Sequence, residues 1–269
     1  MAGVFLVKSL SLCSYVIMIQ MTWAQKRQIF IIGIIALAVV VPIFYFATKK
    51  PAFSCTDKIQ NGVEEGVDCG GTCEKCLGEI KDISVKWVKP FLITKGKYEV
   101  GALIQNPNVF AGLAALSYTI KLYDDKNVLM AVREGRTFLN TGERTLIFEA
   151  NISTGERIAE RATIEFGKNL FWKRVEKVNP NIVIVDRGFE NIPAPRFFVT
   201  LENKELLPIY DIEATALIWG EEQEILAVSG TNISSIPSGE TREAVFTWGA
   251  PFSKESAKQE IFVRVPQLK

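Results

Sequence analysis

Two patterns of apolar residues divide the chain. The first is a continuous run from Ile29 to Ala47 that holds no charged residue and is bracketed by Lys26-Arg27 and Lys49-Lys50. As a helix this run covers roughly 28 Å, the thickness of a bilayer's hydrocarbon core. Its Ile, Leu, Val and Phe residues outweigh the small penalties of Gly33, Pro42 and Tyr45. A core helix of a soluble protein usually keeps a polar face, which this run lacks, so it reads as a transmembrane helix over 29–47. The second pattern begins after Ile80. Apolar residues alternate in short runs (Ile83, Val85, Trp87; Tyr98, Val100, Ala102, Ile104; Tyr118, Ile120, Leu122) between turns rich in Gly, Asn and Pro. Period two with such punctuation predicts strands.

The strand-rich part also repeats. Asn106 matches Asn203 at an offset of 97 positions, and the same offset pairs Ile120 with Leu217, Leu122 with Trp219, Leu129 with Leu226 and Gly142-Glu143 with Gly239-Glu240. Each copy has the length and strand spacing of an immunoglobulin-like sandwich. Neither copy contains cysteine, so the cores must come from inward faces, among them Trp87, Phe148 and Trp248. The expected fold is mainly β: an N-terminal transmembrane helix, a small disulfide-rich loop and two tandem immunoglobulin-like β-sandwiches. The expected segments are a cytoplasmic leader over 1–28, the helix over 29–47, a cysteine-rich module over 51–78, and sandwiches over 80–178 and 179–269. The turn signal Asn179-Pro180-Asn181 marks a link so short that the sandwiches should form a semi-rigid rod.

Four of the five cysteines, Cys55, Cys69, Cys73 and Cys76, lie directly behind the apolar run, and Cys13 in the leader has no obvious partner. Two chemistries suit the four: a pair of disulfides stapling a loop too small for its own core, or four thiolates on zinc. Four-cysteine zinc sites usually bring two close pairs, and only Cys73-x-x-Cys76 is one here, so spacing favours disulfides. Four cysteines allow three pairings. Cys55 with Cys73 and Cys69 with Cys76 is preferred, because a bridge inside Cys-x-x-Cys closes a tight and readily reduced ring. A thioredoxin-like use of Cys73 and Cys76 would need the motif at a helix start after a strand, and here it sits in a glycine-rich loop. Asp57, Asn61, Glu64 and Asp68 supply hard oxygen ligands in the same loop and define an alternative calcium site, although an EF-hand register starting at Asp57 puts Ile59 at a ligand position. Turn chemistry accounts for the same residues.

The stretch Asn61-Gly62-x-Glu64-x-Gly66-Val67-Asp68-Cys69-Gly70-Gly71-x-Cys73-x-x-Cys76 resembles a small cysteine-rich module of secreted and surface-anchored microbial proteins. The first repeat resembles the WHy domain of late-embryogenesis-abundant proteins in its Asn106-Pro107-Asn108 turn and the strand from Tyr118 to Tyr123. The second resembles FxLYD-type envelope domains of prokaryotes in Asn203, Pro208-Ile209-Tyr210-Asp211 and Ser238-Gly239-Glu240. These resemblances imply an extracytoplasmic location and sandwiches without catalytic residues.

Charge narrows the function classes. Lysine plus arginine total 31 against 30 aspartate plus glutamate, which gives no argument for a nucleic-acid partner. Histidine is absent, removing the commonest general base and zinc ligand. The pairs Asp124-Asp125 and Glu221-Glu222 read as hairpin turns, and Phe171-Trp172-Lys173-Arg174 with Lys168 and Lys177 reads as a last strand with one buried face, or as a surface for lipid or polyanion. Asn151-Ile-Ser and Asn232-Ile-Ser fit the glycosylation acceptor pattern. Flanking charge does not orient the helix, so the cysteines must: oxidation puts the leader inside and the bulk outside. A cleavage site at Thr22-Trp23-Ala24 would put a membrane span right behind the cleavage point and translocate almost nothing, so an uncleaved signal anchor is preferred, with Met21 an alternative start to Met1. The expectation is a single-pass, non-enzymatic binding or scaffolding protein of a prokaryotic envelope, without cofactor, whose partner is another envelope protein or a wall polymer. The alternatives are a cytoplasm-facing adaptor with a four-cysteine zinc site, and a thiol-disulfide redox protein using the Cys-x-x-Cys pair.

Overall fold

The computed structural model describes residues 22–48, 54–74, 76–175, 180–191, 193–252 and 254–268. Met1, Cys13, Met21, Lys177 and Asn179, on which expectations rested, lie outside these. Helix α1 spans Trp23–Thr48, starting before the apolar run itself. A capping box sets its start: Thr22 N–H donates to Gln25 Oε1 at 2.9 Å, and Gln25 N–H donates to Thr22 Oγ1 at 3.4 Å. Thr22-Trp23-Ala24, which looked like a cleavage motif, is thus the N-terminus of the helix. Its apolar window from Trp23 to Phe46 is unburied among the described residues, and it is long and apolar enough to cross a membrane.

Strands β1 (Ser84–Thr94), β2 (Lys97–Gln105) and β5 (Arg144–Ser153) form one antiparallel sheet in the order β1-β2-β5. Strands β3 (Ala111–Tyr123), β4 (Leu129–Leu139) and β6 (Arg161–Phe166) form a second, in the order β4-β3-β6, with the short β7 (Lys173–Arg174) paired to the start of β3. Between the sheets lies a core that includes Tyr98, Val100, Ile104, Leu116, Ile120, Leu122 and Ile147. The second half repeats this plan. Strands β8 (Ile182–Glu190), β9 (Arg196–Asn203) and β12 (Thr241–Thr247) form one sheet, and β10 (Ile209–Gly220), β11 (Ile225–Ile236) and β13 (Ser256–Arg264) form the other. Phe197, Val199, Leu201, Ile212, Ile218, Phe246 and Trp248 belong to its core. The molecule is mainly β, as the alternating pattern predicts.

The repeated asparagines are structural bolts. Asn106 is fully buried, and its Nδ2 donates to the carbonyls of Ala111 at 2.8 Å and Asn140 at 2.7 Å while its Oδ1 accepts the Asn108 N–H. Asn203 is equally buried; its Nδ2 donates to Leu207 and Ile236, both at 2.9 Å, and its Oδ1 accepts the Glu205 N–H. Each bolt's own N–H reaches the glutamate of a Gly-Glu turn, Glu143 or Glu240. Gly142 and Gly239 hold those turns with φ of 59° and 70°, a conformation that costs glycine nothing.

The offset is not constant, which corrects part of the sequence alignment. The bolt contacts pair Ala111 with Leu207 and Asn140 with Ile236, a 96-residue spacing (207 minus 111; 236 minus 140) inside the 97-residue repeat. A one-residue slip in a strand reverses every side chain. Ile120 and Leu122 therefore point into the first core, whereas Leu217 and Trp219, matched to them by sequence, point outward.

Those outward side chains build a third apolar cluster between the repeats. Phe91, Leu103, Leu146, Leu217 and Val228 are buried there, with Trp87, Phe148, Trp219, Ile225 and Phe262 packed around them. Trp87 and Phe148 thus serve the interface and not the core of the first sandwich, while Trp248 is in the second core as expected. The expected rod is also corrected: the sheet β1-β2-β5 lies face to face on β11-β10-β13. Strand β11 crosses β1, β2 and β5 in turn. The Ile225 carbonyl accepts a bond from Lys89 Nζ on β1 at 3.0 Å; a Cβ on Gly101 of β2 would meet Val228 at 2.9 Å; and one on Gly230 would meet Phe148 of β5 at 2.7 Å. The two glycines permit this close approach of backbones.

Candidate functional site

The first candidate region is the cysteine loop. Cys55 is bonded to Cys73 and Cys69 to Cys76, so Cys73 and Cys76 each have a different partner. The surrounding motif follows from the space these bridges need. A Cβ on Gly66 would lie 2.9 Å from Cys69 Sγ and 3.1 Å from Cys76 Sγ. Gly70 and Gly71 have φ of 84° and 63°, and a Cβ on Gly71 would lie 2.1 Å from the Val63 carbonyl oxygen. The oxygen-bearing residues are committed to turns. Both Asp68 oxygens accept the Lys58 N–H at 3.0 Å, Asp57 accepts from Ile59 N–H and Asn61 Nδ2, and Glu64 Oε2 accepts the Asn61 N–H at 3.0 Å. Among the described residues, the group whose donor atoms converge within 4.8 Å is Cys55, Glu64 and Cys73, and its two sulfurs are joined to each other.

The loop is fixed to the first sandwich. The Cys76 carbonyl accepts from Arg174 at 3.3 Å, and Asn108 clasps the incoming chain by accepting the Lys81 N–H and donating to the Lys81 carbonyl, both at 2.8 Å.

The second region, which sequence reasoning missed, is the cleft where the two repeats meet. Its centre is Arg264 at the end of β13, with a side chain 5% exposed. The guanidinium donates to Glu213 Oε2 at 2.7 Å from Nη2 and 3.0 Å from Nε, to the Phe138 carbonyl at 3.1 Å and to Thr137 Oγ1, and it lies 3.5 Å from Glu143 Oε2. It also stands 4.1 Å over the Phe138 ring. Glu143 belongs to the first repeat's Gly-Glu turn. Burial raises its pKa above the ordinary glutamate value, and Arg264 and the Asn140 N–H partly offset this. Beside the cluster, Asn140 donates to the Val265 carbonyl at 3.0 Å and accepts the Gln267 N–H at 3.1 Å. The C-terminal stretch is thereby laced to the first repeat.

A cleft of about 350 Å³ opens beside this cluster, lined among others by Tyr118, Arg136, Phe148, Thr215, Thr231, Asn232 and Arg264. Tyr118 donates to Glu149 at 2.7 Å, and Glu149 also accepts from Arg133 at 2.9 Å. Burial first, and then Glu149, raise the Tyr118 pKa, so the phenol stays protonated. Arg136 is exposed at the rim. Such a cleft offers an aromatic face, hydroxyls and a cation: groups that hold a ligand by contact and hydrogen bonds.

The remaining sequence candidates take structural places. Asp124 caps its turn by accepting the N–H groups of Lys126 and Val128, and it pairs with Arg157; these bonds lower its pKa, the Val128 N–H first. Glu222 pairs with Lys254 at 3.0 Å. Trp172 packs on the first core while Phe171 is 81% exposed, so this stretch has the one buried face expected of it. Asn151 and Asn232 are both exposed, Asn151 with φ of 58°.

No family model matches the chain, and no curated protein matches it. Among solved structures it is similar to a β-glucuronidase from glycoside hydrolase family 2, at 11% identity and a TM-score of 0.21, over 57% of this chain and 20% of that one. It is also similar to the red sea bream transglutaminase, at 10% identity and a TM-score of 0.23, over 71% of this chain and 32% of that one. The chain thus spans a third or less of those proteins, and at such scores neither likeness bears on its activity.

Proposed function

We propose that this chain is a single-pass membrane protein of a prokaryotic cell envelope, with the leader in the cytoplasm and everything after α1 outside. Its role is binding or scaffolding without catalysis. The observation that carries this reading is the pair of disulfides, Cys55–Cys73 and Cys69–Cys76, set directly behind a helix of membrane-spanning length. Disulfides persist in oxidising compartments, and a loop of this size has no core to hold it otherwise. The same bridges weigh against the zinc adaptor, whose thiolates would be consumed, and against the redox reading, whose dithiol would be split between two partners. Behind the staple, the docked sandwiches present a polar, partly aromatic cleft. Its partner is another envelope protein or a wall polymer.

A reporter active only outside the cytoplasm, fused after Lys269, tests the topology. Activity supports the proposal, and a silent outside reporter with an active cytoplasmic one reverses it. On the purified protein, mild reductant should expose new protease sites confined to 54–77 and leave both sandwiches intact, since neither contains cysteine. Opening of the loop by a chelator, with reductant inert, would indicate thiolates on a metal.

A further inference from the structure

We infer that the end of the first sandwich beside the cysteine loop rests on the surface of the bilayer that holds α1, through Phe110 and Phe171 with the cations of Lys173 and Arg174. This rests on the anchoring proposed above. Phe110 is 60% exposed and its neighbour Val109 57%, in the loop that follows the Asn106 bolt. Phe171 is 81% exposed, although Leu170 and Trp172 on either side of it pack against the core. Two residues later β7 pairs with β3, Lys173 opposite Gly112 and Arg174 opposite Ala111. Phe110 and the Phe171 stretch are thereby brought to the same corner. The Val175 N–H closes it by donating to the Phe110 carbonyl at 3.0 Å, and the Arg174 guanidinium lies 5.2 Å over the Phe110 ring.

The position of this corner names the occupant. Arg174 also donates to the Cys76 carbonyl, and Asn108, next to Val109, clasps Lys81 as the chain arrives from the cysteine loop. The corner therefore touches the segment that joins the sandwich to α1. Only residues 49–53 separate Thr48, the last residue of α1, from Ser54. Five residues reach at most about 18 Å when fully extended. Aromatic rings beside lysine and arginine suit a lipid headgroup layer: the rings enter the interface and the cations meet anionic phosphates. The tether makes the contact intramolecular, so a patch too small to recruit a free protein can still be engaged.

The test uses the full chain, reconstituted in vesicles of mixed zwitterionic and anionic phospholipid, with photoreactive benzoylphenylalanine replacing Phe110, Phe171 or Leu206 in turn. Leu206 is 92% exposed and lies in the other repeat, which makes it the control. Non-reducing electrophoresis confirms both disulfides in each variant. Lipid adducts read by mass at 110 and 171 should exceed those at 206 by at least about tenfold. Equal yields at all three positions, or adducts to protein in place of lipid, would overturn the contact while leaving the anchor standing. Release of the chain by alkaline carbonate would overturn the anchor, and the contact with it.

Discussion

Apart from the short β7, the two repeats share their strands, their connections and their asparagine bolts, yet each docks on the other with a different sheet. The first contributes β1-β2-β5, the second β11-β10-β13, which corresponds to the first repeat's outer sheet β4-β3-β6. The outward faces explain the choice. Strand β3 turns Ser117, Thr119 and Lys121 away from its core, whereas β10 turns out Thr215, Leu217 and Trp219. Strand β2 turns out Gly101 and Leu103, whereas β9 turns out Phe198, Thr200 and Glu202. The inward faces make a sandwich and are equivalent in both copies. The outward faces decide what each sandwich becomes part of, and there the copies have diverged. Burying apolar area is worth about 25 cal/mol per Å², so a few exchanged side chains suffice to select a docking face.

The largest expected effect falls on the feature only one repeat has. Arg264 pairs with Glu213 in its own sheet and reaches Glu143 across the interface, and removing one member of a buried ion cluster leaves charge without compensation. Arg264→Ala should cost about 3–5 kcal/mol in denaturant unfolding. Adding Glu143→Ala should recover part of that loss; strict additivity of the two would show that they do not interact. The shared feature gives a smaller effect with a different address. Asn203→Ala removes two donated bonds, one of them to the buried Ile236 carbonyl, and one accepted bond, at about 2–4 kcal/mol. Hydrogen exchange should rise first in the second sandwich for this variant, and in the first for Asn106→Ala. A uniform rise in both would deny the bolts their local role.

The smallest effect concerns pH. The folded Glu143 carboxyl has a raised pKa, so the folded state binds its proton more readily than the unfolded chain does. Its contribution to stability therefore falls as pH climbs from the ordinary glutamate value through the raised one, and returns on acidification. Glu143→Gln should flatten that part of the stability profile. An unchanged slope would assign it to other carboxylates.

Much of this architecture was legible along the chain, for identifiable reasons. The span, the staple and the strands follow from patterns that depend on neighbours in sequence: an unbroken apolar run, four clustered cysteines, and alternation. Asn106 and Asn203 were visible as a matched pair, but their buried role depends on carbonyls as distant as Asn140 and Ile236. The interface is hidden in Val100-Gly-Ala-Leu-Ile and Ala216-Leu-Ile-Trp, where alternate positions alone describe only one of two apolar faces. An unbroken apolar run is the signature of a strand buried on both faces. The one-residue slip between the repeats hid the difference further, since it matched inward Ile120 with outward Leu217. The cluster around Arg264 draws on residues of β4, β5, β10 and β13 or their flanking turns, and no local motif announces it.

Calorimetric melting of the full chain in detergent, with and without Leu217→Asp, tests most directly whether the two sandwiches act as one docked unit. Leu217 is fully buried between the repeats and belongs to neither sandwich core, so a charge there should separate the sandwiches and leave each intact. The unmodified chain should melt in a single cooperative transition that Leu217→Asp splits into two. Two independent transitions in the unmodified chain, unmoved by the substitution, would contradict the docked arrangement.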